Sequence, residues 1–367
     1  MDADFLLRRA KKHLRGIATI AIAVAMITAP AIATAARPGS GKLQIYVIDV
    51  EGGQSTLFVT PAGQSLLIDT GWPDHADRDA NRIVAAVKQA GLSRIDYVLI
   101  THFHADHVGG VPQLVARIPV GTFIDHGPNR QTTDAATEQG WEAYQKVLAT
   151  GKYKHIVARP GQILPIRGLH VEVVSGDGNL IQKPLPGGGE QNPYCAKSEK
   201  RPPDQTENAR SLGLYMTFGK VKLLDLGDLT WDKEMQLMCP VNKLGHVDVL
   251  IVSHHGWYQS SSPALVDAIT PVVAIMDNGE TKGGSTPTLE TIRAIPGLQA
   301  LWQLHYSKEG GPQHNTPAEY IANLQGTGLK GTDAGNYFKV SVSKDGTFTV
   351  TNSRTDRTMQ YHATPSS

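Results

Sequence analysis

The chain has 367 residues, 35 Lys and Arg against 34 Asp and Glu, a formal charge of +1, and 40% hydrophobic residues. That excludes an intrinsically disordered chain, which lacks the apolar content to fold, and leaves no surplus of positive charge for coating nucleic acid. Two cysteines are too few for a disulfide scaffold or a cysteine-based zinc module.

In chain order, residues 1–36 open with Arg8, Arg9, Lys11, Lys12 and Arg15. They continue through an apolar run from Ile17 to Ile27 and reach Ala33-Thr34-Ala35 after Pro30. Basic region, apolar core and small-residue site in that order predict a secretory signal peptide, with an uncleaved single anchor as the alternative. The run is short for a membrane span. Without the five basic and two acidic residues of 1–36 the remainder carries a net charge of −2. It is expected to be periplasmic or secreted, with no membrane segment of its own. In an oxidising compartment Cys195 and Cys239 can pair, and two buried thiols are the alternative.

Residues 43–49, 56–60 and 65–69 read as strands, 78–90 as a helix with Ile83, Val84 and Val87 at helical spacing, and 95–100 as a buried strand. The middle, 121–210, is less regular, with helix at 141–149 and short strands within 155–174. Residues 176–206, rich in Gly, Pro, Asn and Lys, are expected to be a long exposed loop, either a flap over a site or idle. Regular alternation resumes with a hairpin (211–218 and 220–226), helix 231–238, strand 247–253, helix 263–269, strand 271–276, helix 287–294 and strand 300–305. A closing hairpin turns at Asp345-Gly346. This alternation predicts one layered α/β domain over 41–360.

The chemistry concentrates at strand ends. Thr101-His102-Phe103-His104-Ala105-Asp106-His107 places three imidazoles and a carboxylate where a buried strand runs into a Gly-rich turn. Neutral imidazole and carboxylate are ligands for divalent metals such as Zn²⁺. Four such groups in so short a segment suit two ions better than one closed tetrahedral site. Asp228, in Leu226-Gly227-Asp228, can bridge two cations, and one of His254 and His255 can complete the second.

With those residues in place, the sequence resembles the metallo-β-lactamase fold superfamily. The HxHxDH motif stands as His102, His104, Asp106 and His107. The early Asp matches Asp69 in Leu67-Ile68-Asp69-Thr70-Gly71, the bridging Asp matches Asp228, and the last His matches His254-His255-Gly256. More narrowly, Asp49-Val50-Glu51-Gly52-Gly53-Gln54-Ser55, Leu226-Gly227-Asp228 and Ser253-His254-His255-Gly256 resemble the hydrolase domain of ComEC/Rec2-type competence proteins and related secreted phosphorylcholine esterases.

The resemblance implies a four-layer αβ/βα sandwich and a metal-dependent hydrolase. Its cofactors would be two divalent ions, zinc first and manganese as the other choice. The first ion takes His102 and His104, the second takes Asp106, His107 and His255, and Asp228 bridges. Attack would come from a metal-bound hydroxide. Asp106 and His254 are the expected catalytic residues, His254 being free to donate to the leaving group unless it exchanges roles with His255. Asp69 is expected to orient a ligand histidine. The superfamily's further histidine is absent from Thr206-Glu207-Asn208-Ala209-Arg210-Ser211, which leaves the first ion only His102, His104, Asp228 and solvent and argues against a true β-lactamase. His170 reads as an ordinary strand residue, His305 as a core histidine, Arg210 as a surface charge, and Trp257 and Tyr258 as pocket wall or packing.

The expected partner is a small ester, with phosphoester or phosphodiester cleavage favoured over ester, lactone or β-lactam hydrolysis and nucleic acid disfavoured by charge. The alternative of another class is a non-catalytic metal-binding or cell-wall-binding protein.

Overall fold

The computed structural model describes residues 41–73, 75–324 and 334–365. They belong to the compact unit 35–367. The segment read as a signal peptide, 1–36, lies outside the described residues.

The first half runs β1 (Leu43–Val47), β2 (Thr56–Val59), β3 (Ser65–Ile68), α1 (Arg78–Gln89), β4 (Ile95–Leu99), α2 (Ala105–Val108), α3 (Val111–Val115), β5 (Val120–Asp125), α4 (Ala135–Leu148) and β6 (Lys154–Val157). The second runs β7 (His170–Gly176), β8 (Asn179–Leu180), β9 (Gly213–Phe218), β10 (Val221–Asp225), α5 (Trp231–Met238), β11 (Val249–Ile251), α6 (Pro263–Ile269), β12 (Val273–Met276), α7 (Thr286–Arg293), β13 (Ala300–His305), α8 (Gly311–His314) and β14 (Ile321–Asn323). Strands β15 (Phe338–Val342), β16 (Thr347–Asn352) and β17 (Arg357–His362) close the chain.

These form two sheets, in the orders β17-β16-β15-β1-β2-β3-β4-β5-β6 and β14-β13-β12-β11-β10-β9-β7-β8. In β1 the period of two is visible: Leu43, Ile45 and Val47 enter the core between the sheets, while Tyr46 joins the core under α1, α3 and α4. A third core lies between the second sheet and α5, α6 and α7. Helices therefore cover the outer face of each sheet, giving the four-layer αβ/βα sandwich. Strands buried on both faces need near-continuous apolar runs, which is how Ile95–Ile100 reads. Among the described residues no helix is long and apolar enough to cross a membrane.

Helices 231–238 and 263–269 and strand 300–305 lie where their patterns put them. Helix α4 begins at Ala135, six residues before the expected start, because its first turns carry no apolar stripe. Strand β17 escaped notice as an edge strand in which Tyr361 is the one fully covered side chain. The expected exposed loop at 176–206 is corrected in one respect: it is pinned to the body. Leu180, Ile181 and Leu185 join the third core. Asn192 donates to Met238 O and Ala264 O at 3.0 and 2.7 Å. Cys195 and Cys239 form a disulfide with a Cα separation of 5.8 Å.

The parallel strands decide where the site can form. Leu66, Leu67 and Ile68 pair with Tyr97, Val98 and Leu99, and Leu99 pairs with Ile124, so β3, β4 and β5 end level. In the other sheet β10, β11 and β12 run parallel, with Leu224 paired to Leu250 and Ile251 to Ile275. The Leu212 N–H donates to Thr101 O at 2.9 Å, joining the two sheets at their carboxyl ends. Carboxyl ends of parallel strands are where α/β layers leave room for a ligand.

Candidate metal centre

Four strand ends supply the donors. The β3 end carries Asp69, the β4 end His102, His104, Asp106 and His107, the β10 end Asp228, and the β11 end His254 and His255. Asp69, His254 and His255 have φ of 59°, 57° and 54°, left-handed values that non-glycine residues rarely adopt. Strain of this kind persists where packing over-determines a turn, and here it turns three side chains into one space.

The tightest group is Asp106, His107, Asp228 and His255, all buried, with ligand atoms within 4.8 Å of one another. His107 Nε2 lies 3.2 Å from His255 Nε2. Asp106 Oδ2 stands 3.4 Å from the first and 3.2 Å from the second. Asp228 reaches them at 3.3 and 3.5 Å. Beside this group His102 Nε2 lies 3.1 Å from His104 Nδ1. His254 Nε2 lies 3.4 Å and His102 Nε2 3.9 Å from Asp228 Oδ2.

The outer ring nitrogens set which inner nitrogens carry lone pairs. His107 Nδ1 donates to Asp69 Oδ2 at 2.7 Å. Thr101 Oγ1 spends its proton on Asp69 at 2.6 Å and so accepts from His102 Nδ1 at 3.1 Å. His104 Nε2 donates to Gln131 Oε1 at 3.0 Å. Ser260 Oγ donates to Leu229 O and accepts from His254 Nδ1 at 3.3 Å. His255 Nδ1 lies 3.3 Å from Asp277 Oδ1. Hydrogen bonds on the outer nitrogens of His102, His104, His107 and His254 thus aim their inner nitrogens at the site, where two carboxylates add more. Ring nitrogens packed at 3.1–3.2 Å in a buried space need a proton or a metal cation between them, and imidazoles with two carboxylates are a donor set that fits divalent metal.

The electrostatics agree. Burial opposes charge on every member, yet Asp228, Asp106 and Asp69 raise His107 well above the ordinary imidazole range. Burial and Lys282 work against charge on His255, but Asp228 and Asp277 raise it to about 10. Asp106 and Asp228 are held well below the carboxylate range despite burial, by Lys282 and His107 and by His107 and His254 respectively. Burial pushes His254 down to about 4.

The structure brings together every residue expected to hold metal. His254, expected to be free for a leaving group, lies 3.4 Å from Asp228 Oδ2 and also lines the cavity beside His255. Asn208, in the stretch lacking a histidine, places Nδ2 3.3 Å from His254 Nε2, and its buried Oδ1 has no hydrogen-bond partner. Glu207 beside it is buried and accepts from His126 Nε2, Phe103 N and Arg130 N at 2.9, 3.3 and 2.6 Å.

His305 pairs with Asp49 at 2.7 Å in a buried group with Glu51, and Arg82 reaches Asp49 at 3.0 Å. This knot steadies the Glu51-Gly52-Gly53 turn against Asp106; a Cβ on Gly53 would lie 2.4 Å from Asp106 O. His170 sits exposed beside Glu172 at 3.6 Å. Trp257 lines a cavity at His254 and His255, and Tyr258 lines a neighbouring one with Arg201 and Trp231. Sequence reasoning missed Gln131, Asn208, Asp277 and Lys282, all single residues on loops without periodicity; their signal was position just after strands or next to a matched motif.

Glu234 on α5 pins the segment that carries Ser260. It is buried and accepts from Ser261 N and Ser262 N at 2.8 and 2.7 Å, and burial pushes its carboxyl up to about 7 against these donors. An acid with a raised folded pKa contributes stability that is complete below its unfolded pKa and is lost as pH rises toward the folded value. The Tm advantage of wild type over Glu234→Gln is therefore expected to shrink from about pH 5 to about pH 8. A pH-independent difference would overturn this.

Residues 49–190 match the sequence model described as the metallo-beta-lactamase superfamily. Among curated proteins the chain is 33% identical over 123 residues to hydroxyacylglutathione hydrolase of Stenotrophomonas maltophilia, covering 33% of this chain and 44% of that protein. It is 26% identical over 245 residues to competence protein ComA of Neisseria gonorrhoeae, covering 66% and 28%. It is 24% identical over 238 residues to recombination protein 2 of Haemophilus influenzae, covering 64% and 24%. The chain thus spans less than half the length of these relatives. The last two bear out the narrower likeness to competence proteins.

Proposed function

We propose that this protein is an exported, metal-dependent hydrolase acting on small esters, phosphoesters and phosphodiesters first. The observation that carries the reading is the buried group of Asp106, His107, Asp228 and His255, with His102, His104 and His254 beside it around Asp228. The match of 49–190 to the metallo-β-lactamase superfamily supports hydrolysis as the reaction. Export is supported by the order of residues 1–36 and by the Cys195–Cys239 disulfide, a bond that persists in oxidising compartments.

In this reading Asp106, His107, Asp228 and His255 hold one ion, and His102, His104 and Asp228 hold the other with His254 as its third nitrogen. His254 then occupies the place left by the superfamily's absent histidine, with Asn208 against its ring. When bound, such ions activate water as a nucleophile at neutral pH and offset charge developing on the scissile group. Asp69, Gln131, Thr101 and Ser260 hold the rings of His107, His104, His102 and His254 in the tautomers that point inward, and the Asp277 carboxylate lies 3.3 Å behind His255. Trp257 walls the cavity and keeps bulk water from one side.

Metal analysis and a panel of bis(p-nitrophenyl) phosphate, p-nitrophenyl acetate and nitrocefin test this. Bound divalent metal and turnover of the phosphodiester, lost with chelator and restored by zinc or manganese, are expected. Turnover of nitrocefin alone would reverse the substrate order. Metal-loaded protein that cleaves none of the three would overturn the hydrolase and favour a binding protein.

A further inference from the structure

Lys282 follows β12 on the loop Asp277–Gly284, which docks on the Glu51-Gly52-Gly53 turn. The Gly279 N–H donates to Lys282 O at 2.8 Å. Lys282 Nζ donates to Gly52 O at 2.6 Å and ion-pairs with Asp106 Oδ2. Gly52 has φ 80°, and a Cβ there would meet Lys282 Cβ at 2.9 Å. Only glycine lets the lysine stem cross the turn so closely. The side chain keeps 37% exposure at a cavity of about 290 Å³ that it lines with His254, His255, Trp257, Thr281 and Gly283. That volume is at the low end of small-molecule sites, which run to roughly 300–1,000 Å³.

Asp106 Oδ2 is also the oxygen that Asp106 presents to His107 and His255, at 3.4 and 3.2 Å, the atom offered to a cation. Nζ and a cation held by Asp106 therefore compete for one oxygen, and like charges repel. With a cation on Asp106 Oδ2, the ammonium would keep Gly52 O and have its remaining protons free for the cavity. Among the described residues Lys282 is the one Lys or Arg lining that cavity. Lysine suits this: a compact point charge on a flexible stem, which binds phosphate without demanding bidentate geometry.

We propose that Lys282 is the anion receptor of the site, taking a phosphate oxygen of the substrate in the cavity beside His254 and His255. The preferred substrates are then anionic, phosphate-bearing esters rather than neutral ones, an inference that rests on the hydrolase reading above.

The test compares wild type, Lys282→Ala and Lys282→Arg as metal-loaded proteins of verified metal content and Tm. Calorimetry measures the Kd of inorganic phosphate, and kinetics measures bis(p-nitrophenyl) phosphate against p-nitrophenyl acetate. Lys282→Ala is expected to weaken phosphate binding roughly ten- to hundredfold, the range of one hydrogen bond to a charged group. KM for the phosphodiester should rise in step with little change in kcat, the loss on p-nitrophenyl acetate should be several-fold smaller than on the phosphodiester, and Lys282→Arg should retain most of the phosphate affinity. An unchanged phosphate Kd, equal losses on both esters, or loss of metal from both variants would overturn the proposal. Wild type active on esters with Lys282-independent phosphate binding sinks the anion receptor alone. Wild type inert on every ester but binding phosphate through Lys282 sinks the hydrolase alone.

Discussion

Asp228→Asn is expected to abolish metal binding in both halves of the site while the fold survives. Asp228 approaches His107, His254 and His255 at 3.3–3.5 Å, and its buried Oδ1 has no hydrogen-bond partner in the protein. An amide of the same shape keeps the packing and can donate to an imidazole lone pair, so little folding energy is lost. It removes the negative charge on which both halves converge and leaves one neutral oxygen in its place. Affinity should fall at least a hundredfold, beyond the roughly 10–100-fold that loss of an outer partner costs. Thermal unfolding reads this directly. Wild type gains about 2.7 kcal/mol when free metal is a hundred times its Kd, and the variant at the same metal concentration should gain about 0.4 kcal/mol or less while its Tm without added metal stays near wild type. A variant that still shows the wild-type metal-dependent rise would remove Asp228 from the centre.

Asp69→Asn is expected to damage the centre without touching a ligand atom. Asp69 is fully buried and accepts three hydrogen bonds, from Thr101 N, Thr101 Oγ1 and His107 Nδ1, at 2.7, 2.6 and 2.7 Å. Burial pushes its carboxyl up, and His107 with Thr101 pull it back. An amide has one accepting oxygen, so its NH₂ must face at least one of these donors. The least costly answer is to reverse the His107 tautomer, which moves the proton to Nε2 and blocks the inward lone pair. Metal affinity at the second ion should fall roughly 10–100-fold, with a stability loss of about 1–3 kcal/mol from the mismatched buried donor. Calorimetric titration with zinc and denaturant unfolding measure the two effects. Undiminished affinity would show that Asp69 serves the fold alone.

What the sequence determined by itself was local. Apolar runs and their periods marked most strands and helices, and three imidazoles with a carboxylate at the tip of β4 announced a metal site. Asp228 and the His254-His255 pair were legible as its partners because each also ends an apolar strand run. Tertiary structure decided the rest. The inward turn of His254 depends on left-handed backbone at two successive residues and on Asn208, 46 residues earlier. Gln131 and Asp277 become partners of His104 and His255 only because the parallel register ends their strands level with the ligand strands. Lys282 meets Asp106 across 176 residues of chain. Side-chain periodicity reports which face of an element is buried, but the neighbour of that face is set by strand order, and no local pattern encodes it.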